Sequence, residues 1–127
     1  MRDMLIAGTG GFIGTVARFY LGALVTRATT ASPFPFGTLV VNVAGCLIIG
    51  ILAGIVEQSG VLTAQTRLFV FTGVLGGFTT YSAFAYETVF LARDHTWGLA
   101  AANVGAQLVL GLVAVWMGHA AGRGMTG

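Results

Sequence analysis

Residues 76–84 read Gly-Gly-Phe-Thr-Thr-Tyr-Ser-Ala-Phe, in the middle of a stretch that is otherwise apolar enough for a membrane helix. Two adjacent glycines followed by a cluster of hydroxyl residues make a poor continuous helix, and Thr and Ser side chains can bond the backbone groups that a helix break sets free. Non-helical backbone at membrane depth is tolerated only where protein buries it or where it lines a watery cavity. The segment therefore predicts a helix broken near its middle, with a functional site at the break.

The composition around this segment is that of a membrane protein. The chain has 127 residues, of which 56% are hydrophobic and only 8% charged, whereas soluble domains carry about 25% charged residues. Four apolar stretches are each long enough for a bilayer core, which takes ~20 helical residues: 5–25, 36–56, 68–91 and 97–120. We expect an all-α membrane protein, a single four-helix transmembrane domain over residues 1–127.

The arginines give little guidance about orientation. With four helices, Arg2, Arg67 and Arg123 fall on one side of the membrane, and Arg27 and Arg93 on the other. Short-loop Lys and Arg set orientation, and three against two is almost no bias. Two interpretations stay open: the orientation is hard to assign from one sequence, or the chain inserts both ways and pairs antiparallel with itself.

Glycines recur four residues apart, at 10/14, 50/54, 73/77 and 118/122, which predicts close helix packing through small faces. Residues 8–14 also fit a Gly-x-x-Gly-x-x-Gly nucleotide-binding pattern. That loop needs a preceding strand and an acidic residue about 20 positions on. Only seven residues precede it, and no acid occurs between Asp3 and Glu57. We therefore interpret these glycines as packing residues.

Several polar side chains fall at membrane depth. Arg18 lies roughly 20 Å along the first helix, where an arginine costs at least ~2.5 kcal/mol. It either reaches back to the interface or faces an aqueous vestibule that attracts anions. On the second helix Thr38 and Asn42 are four residues apart, as are Asn103 and Gln107 on the fourth. These faces either join helices by hydrogen bonds or offer amide N–H donors to an anion.

The third helix adds two further chemistries. Carbonyls exposed at the break could hold a cation, because hard cations take oxygen ligands. Tyr81 and Phe84 share a face, and the positive edges of their rings could contact a small anion, although aromatic residues more commonly fill a core. Glu87 follows one turn after Phe84. It is either interfacial or hydrogen-bonded into a water path.

These motifs resemble the CrcB/Fluc family of fluoride channels. Residues 10–20 read Gly-Gly-Phe-Ile-Gly-Thr-Val-Ala-Arg-Phe-Tyr, residues 37–45 read Gly-Thr-Leu-Val-Val-Asn-Val-Ala-Gly, and residues 73–84 read Gly-Val-Leu-Gly-Gly-Phe-Thr-Thr-Tyr-Ser-Ala-Phe. The resemblance spans nearly the whole chain. It implies an antiparallel, dual-topology homodimer with two pores that passes fluoride down its gradient and out of the cell, in the bacterial inner membrane.

The resemblance also implies a structural, non-transported sodium ion at the dimer centre, held by the backbone carbonyls of Gly76 and Thr79. It implies a fluoride pore and its access route. We assign to the pore Thr38, Asn42, Tyr81, Ser82, Phe84, Asn103 and Gln107, and to the vestibule Arg18 and Glu87. Tyr81 stands where the family more often has phenylalanine, and Gln107 where many members have serine.

The sequence leaves two alternatives to the channel. A small dual-topology multidrug or cation exporter needs a carboxylate in its first helix, where this chain carries Arg18. A non-conducting assembly subunit would use its glycines and amides only for packing. We expect no enzyme activity, because no nucleophile–base pair lies at membrane depth, and no nucleic-acid partner.

Overall fold

The computed structural model describes residues 1–60 and 62–126, so the far end of the predicted domain, at residue 127, lies outside the described residues. The regular elements are all helical in these two ranges. They are α1 (Arg2–Ala28), α2 (Phe36–Ser59), α3 (Ala64–Arg67), a π-helical segment (Leu68–Leu75), α4 (Gly76–Phe78), α5 (Tyr81–Arg93) and α6 (Trp97–Gly124).

Within the described residues, four helices are long and apolar enough to cross a membrane: Arg2–Ala28, Phe36–Ser59, Ala64–Arg93 and Trp97–Gly124. This confirms the prediction of four transmembrane helices, and the chain is a multi-pass membrane protein. The observed helices contain the four predicted stretches and extend beyond most of their ends. The third of them, Ala64–Arg93, combines α3, the π-helical segment, α4 and α5, and is called the third span below.

The first helix packs against the third span through glycines. A Cβ at Gly10 would lie 3.0 Å from the Gly73 Cα, and one at Gly14 would lie 2.8 Å from the Phe78 nitrogen. Contact is equally close in the other direction, because a Cβ at Gly77 would lie 3.0 Å from the Gly11 Cα. The two backbones therefore meet where a methyl group does not fit, which confirms the packing predicted from the glycine spacing.

The second and fourth long helices form a matching pair. A Cβ at Gly50 would lie 3.0 Å from the His119 nitrogen, and one at Gly118 would lie 2.9 Å from the Ile51 nitrogen. Gly54 and Gly122 repeat the contact one turn further on. The fold thus consists of two glycine-packed helix pairs, α1 with the third span and α2 with α6.

The third span is interrupted at Thr79 and Thr80. Thr79 has φ −83° and ψ 158°, and Thr80 has φ −148° and ψ 109°, so both are extended. Gly76 is helical, with φ −63° and ψ −36°, and Gly77 lies in α4. The interruption therefore lies inside the segment 76–84, at its threonines and not at its glycine pair. Gly77 serves the contact with α1, and the chain leaves the helix two residues later, at Thr79.

The packing glycines make a stability prediction. Gly14→Ala should destabilise the protein by about 2–3 kcal/mol, because overpacking a tight contact costs about 1–3 kcal/mol and the clash here is with backbone, at the Val74 carbonyl and the Phe78 nitrogen. Gly8→Ala on the same helix meets nothing within 4 Å and should be neutral or slightly stabilising. Thermal unfolding in detergent compares the two variants. Equal melting temperatures would contradict this account of the packing.

Candidate functional site

The extended Thr80 is held by Asn42 of α2. The Thr80 N–H donates to the Asn42 Oδ1 at 2.8 Å, and the Asn42 Nδ2 donates to the Thr80 carbonyl at 3.1 Å. The side-chain amide thus pairs with this backbone as a neighbouring strand would. Because the Thr80 N–H turns to Asn42, the Gly76 carbonyl four residues earlier loses the donor that a continuous helix would provide.

A third hydrogen bond joins Asn42 to Gln107 of α6. The Asn42 Nδ2 donates to the Gln107 Oε1 at 3.1 Å. The Gln107 Nε2 is buried and has no hydrogen-bond partner in the described part of the chain. Asn42 therefore connects the interruption of the third span to the fourth membrane helix and sets which end of the Gln107 amide is left unpaired.

These groups border a cavity of about 370 Å³ between α2, the third span and α6. We call it the aromatic cavity. Its lining includes Asn42, Gly76, Thr79, Thr80, Tyr81, Phe84 and Gln107. The Tyr81 and Phe84 rings meet edge to face, with centroids 5.6 Å apart and planes at 65°. The structure thus brings together both predicted aromatic residues, both predicted carbonyl ligands and two of the predicted amides.

A larger cavity of about 1010 Å³ lies on the other side of the interruption. We call it the vestibule; its polar lining includes Arg18, Arg27, Thr38, Thr80, Ser82 and Glu87. The Thr38 hydroxyl donates to the Glu87 Oε1 at 2.5 Å. Thr80 borders both cavities, so the backbone that Asn42 holds separates them. The sequence indicates only a loop charge at Arg27, because a position near the end of a helix does not show that the side chain shares a cavity with Arg18.

Arg18 lies against the interruption. Its guanidinium donates to the Thr79 carbonyl at 3.4 Å, and the Thr15 hydroxyl donates to the Gly77 carbonyl at 3.5 Å. The Arg18 side chain is half-buried. Of the two alternatives left open for it, this geometry favours an arginine that faces the vestibule, because its side chain lines that cavity and bonds the backbone at the break.

Asn103 lies apart from both cavities. It is fully buried, and its Nδ2 donates to the Thr88 hydroxyl of α5 at 2.9 Å. This is the interhelical bond that the packing alternative predicts. The two amides of α6, four residues apart, therefore have different surroundings: Asn103 joins helices, and Gln107 borders the aromatic cavity.

A cation at the interruption would depend on backbone oxygens, since no cluster of three His, Cys, Asp or Glu side chains occurs in residues 1–60 and 62–126. Gly76 and Thr79 both line the aromatic cavity. Gly76 has lost its helical donor, and Thr79 accepts one long bond from Arg18. Hard carbonyl oxygens suit a hard cation, so the residues predicted as sodium ligands fit that role chemically.

Comparison with known proteins agrees with these observations. Residues 5–119 match the family model described as CrcB-like protein, Camphor Resistance (CrcB). A protein of Opitutus terrae named "Fluoride-specific ion channel FluC" is 50% identical over 98% of this chain and 96% of its own length. Proteins of the same name from Methylobacillus flagellatus and Agrobacterium fabrum are 44% and 40% identical over 93% and 98% of this chain, and over 92% and 99% of their own lengths.

Proposed function

The chain belongs to the CrcB family, and from that premise we propose that it is a fluoride-specific channel of the bacterial inner membrane that lets fluoride leave the cytoplasm passively. It is an ion channel and not an enzyme, as its family is. The observation that carries the proposal is the aromatic cavity, where an unpaired amide donor and the Tyr81–Phe84 pair border the same space beside broken helix backbone.

The chemistry of this cavity suits a small anion. Fluoride must exchange its hydration shell for other hydrogen-bond donors, and amide N–H groups and positive ring edges supply them without a fixed charge. Before an anion reaches the aromatic cavity, Arg18 and Arg27 of the vestibule attract it electrostatically. The vestibule lining holds these two arginines against one carboxylate, Glu87, and an excess of positive charge in a cleft raises the local concentration of anions.

We propose that a second copy of the chain covers the aromatic cavity. Tyr81 is 80% exposed and Gly76 is exposed in the single chain. Broken backbone and amides at membrane depth need protein or water around them. Because the arginine bias is three against two, both orientations can form, and an antiparallel homodimer with two pores places one cavity of each copy against the other.

A structural sodium ion at the dimer centre is part of the proposal. One chain offers two carbonyls, from Gly76 and Thr79, and a two-fold axis through the ion doubles that number. When bound, the ion would tie the two interrupted helices together and offset the partial negative charge of their carbonyls. Within one chain, Asn42 accepts the Thr80 N–H that would bond the Gly76 carbonyl in a continuous helix. Arg18 donates to the Thr79 carbonyl.

The chain is less suited to the alternative of a cation exporter. After Asp3 in its first turn, α1 carries Arg18 and no carboxylate. Glu87 borders the vestibule, but its Oε1 is engaged by Thr38. A non-conducting subunit would not explain why an amide donor is left unpaired beside the aromatic pair.

Ion efflux from liposomes tests the function. Purified protein in vesicles loaded with potassium fluoride should release fluoride after valinomycin addition, while vesicles loaded with potassium chloride should stay sealed. The selectivity is expected because fluoride is the smaller halide, so its charge lies closer to a hydrogen-bond donor and is attracted more strongly than that of chloride. Protein-free vesicles are the control. Equal fluoride and chloride rates, or no fluoride release, would refute the proposal.

A further inference from the structure

A third cavity, of about 540 Å³, lies between the C-terminal part of α2 and the first half of the third span. We call it the distal cavity; its lining includes Ala53, Glu57, Arg67, Phe71 and Thr72. We propose that the distal cavity is the second mouth of the fluoride path, and that the Phe71 ring is the constriction between this mouth and the aromatic cavity. The inference rests on the proposed function and extends its path to the other membrane surface.

The three cavities follow one another along α2. The vestibule is lined by residues up to Val41, the aromatic cavity by residues from Asn42 to Ile49, and the distal cavity by residues from Ala53 to Glu57. From Thr38 to Glu57 the helix rises about 28 Å at 1.5 Å per residue, and the hydrocarbon core of a bilayer is ~30 Å thick. The series of cavities therefore extends across a whole membrane, whereas the first two end near its middle.

Phe71 stands where the second cavity meets the third. It lines both the aromatic cavity and the distal cavity, as Thr80 lines both the vestibule and the aromatic cavity. The Phe71 carbonyl accepts the N–H of Gly76, five residues later, so its backbone oxygen is engaged and the ring is the group that it can offer to the path. π-helical turns of this kind are frequent at functional sites.

An aromatic ring suits a constriction for an anion. An apolar narrowing controls the passage of ions because it excludes water, and the positive edge of an aromatic ring does not repel an anion as a carboxylate would. Phe71 is half-buried in the single chain. Its position in the series therefore adds a second aromatic point to a path that already passes the Tyr81–Phe84 pair.

The outer end of the distal cavity is charged. Glu57 and Arg67 are both exposed, and the Glu57 Oε2 lies 2.6 Å from the His119 Nε2 of α6. Ionised side chains near a helix end place their charges in water, so this end of the cavity opens to the aqueous phase. In the proposed antiparallel pair, the two-fold axis then gives each membrane surface the vestibule of one copy and the distal cavity of the other.

Filling the distal cavity should stop the flux. Ala53→Phe adds a ring from the α2 wall, and Thr72→Trp adds one from the third span, at an exposed position that tolerates bulk. Each should lower fluoride efflux from liposomes at least about tenfold, because pore width limits passage. The matched controls are Ala101→Phe and Thr66→Trp, which are exposed and line none of the three cavities. Both controls should conduct like the unaltered protein.

Shortening Phe71 tests the constriction itself. Phe71→Ala should raise fluoride efflux about threefold or more, since removing an apolar narrowing lowers the barrier there. The double variant Ala53→Phe with Phe71→Ala moves a ring from one wall of the distal cavity to the other. Its efflux should return to within about threefold of the unaltered rate, because volume-conserving exchanges are tolerated best. Such a recovery would not follow if Ala53→Phe acted only by destabilising the fold.

Each result has one meaning, with folding shown by a sharp melting transition. If the unaltered protein releases no fluoride, the proposed function fails. If it conducts and a folded Ala53→Phe or Thr72→Trp conducts equally well, the path does not run through the distal cavity and the function stands. If Phe71→Ala conducts no faster than the unaltered protein, or the double variant does not recover, the role of the Phe71 ring is overturned.

Discussion

Asn42→Ala is expected to reduce fluoride efflux at least roughly 100-fold, which corresponds to about 2.7 kcal/mol. The substitution removes three hydrogen bonds and leaves the Thr80 N–H, the Thr80 carbonyl and the Gln107 Oε1 without partners. Each unpaired buried group costs about 1–3 kcal/mol. The extended backbone is then free to rejoin the helix, which would close the space at the interruption. Efflux from liposomes at matched protein content measures the loss.

Two further variants, a second substitution of Asn42 and a control, are measured beside Asn42→Ala. Asn42→Asp keeps the oxygen that accepts from the Thr80 N–H but loses both N–H groups and adds a negative charge, so it should be as inactive as Asn42→Ala. Val40→Ala, at an exposed position on the same helix, should leave efflux unchanged. Efflux by Asn42→Ala within about threefold of the unaltered rate would show that the three bonds are not needed to keep the path open.

Adding positive charge to the loops on one side of the membrane is expected to abolish fluoride export, because it would force every copy of the chain into one orientation. Gln58→Lys with Gln65→Lys adds two charges at exposed positions to the side that already holds three of the five loop and terminal arginines. Lys and Arg near helix ends set orientation, and copies that share one orientation cannot form an antiparallel pair. In cells without another fluoride exporter, fluoride should accumulate as it does without the protein.

A variant with its extra positive charge on the opposite side of the membrane is the control. Thr30→Lys, Asp94→Lys and Arg67→Gln shift the balance to the other side, and this variant should also fail alone. Coexpression of the two oppositely biased variants should restore fluoride export, since each supplies one orientation. Neutral changes, Gln58→Met with Gln65→Met, should retain export. If either charged variant exports normally by itself, the antiparallel dimer is wrong.

The four membrane helices could be predicted from the sequence because they depend on composition over long stretches. The glycine spacing likewise predicted the close contacts at Gly10, Gly14, Gly50 and Gly118, since residues four apart share one helix face whatever the helix packs against. Such patterns are local and periodic, so they predict a helix and its packing face without knowledge of which segment packs against it.

The details of the interruption could not be predicted in the same way. Glycines are poor helix formers, so the pair at 76 and 77 marked the predicted weak point, whereas the extended residues are Thr79 and Thr80. Gly77 lies in the helix α4, and its lack of a side chain serves the close contact with α1. The π-helical turn geometry of Leu68–Leu75 also escaped prediction, because an apolar stretch of this length fits an α-helix equally well.

The sequence by itself determined that this is a four-helix membrane protein whose third span carries hydroxyl and aromatic residues at depth, because hydrophobic length and residue type are properties of the chain alone. The tertiary structure alone decided what the polar groups do. Asn103 and Gln107 share one helix face, yet one joins helices and the other borders the aromatic cavity. Hydrogen-bond partners come from distant segments, so only the packed fold determines that the Asn103 nitrogen bonds Thr88 while the Gln107 oxygen bonds Asn42 beside the cavity.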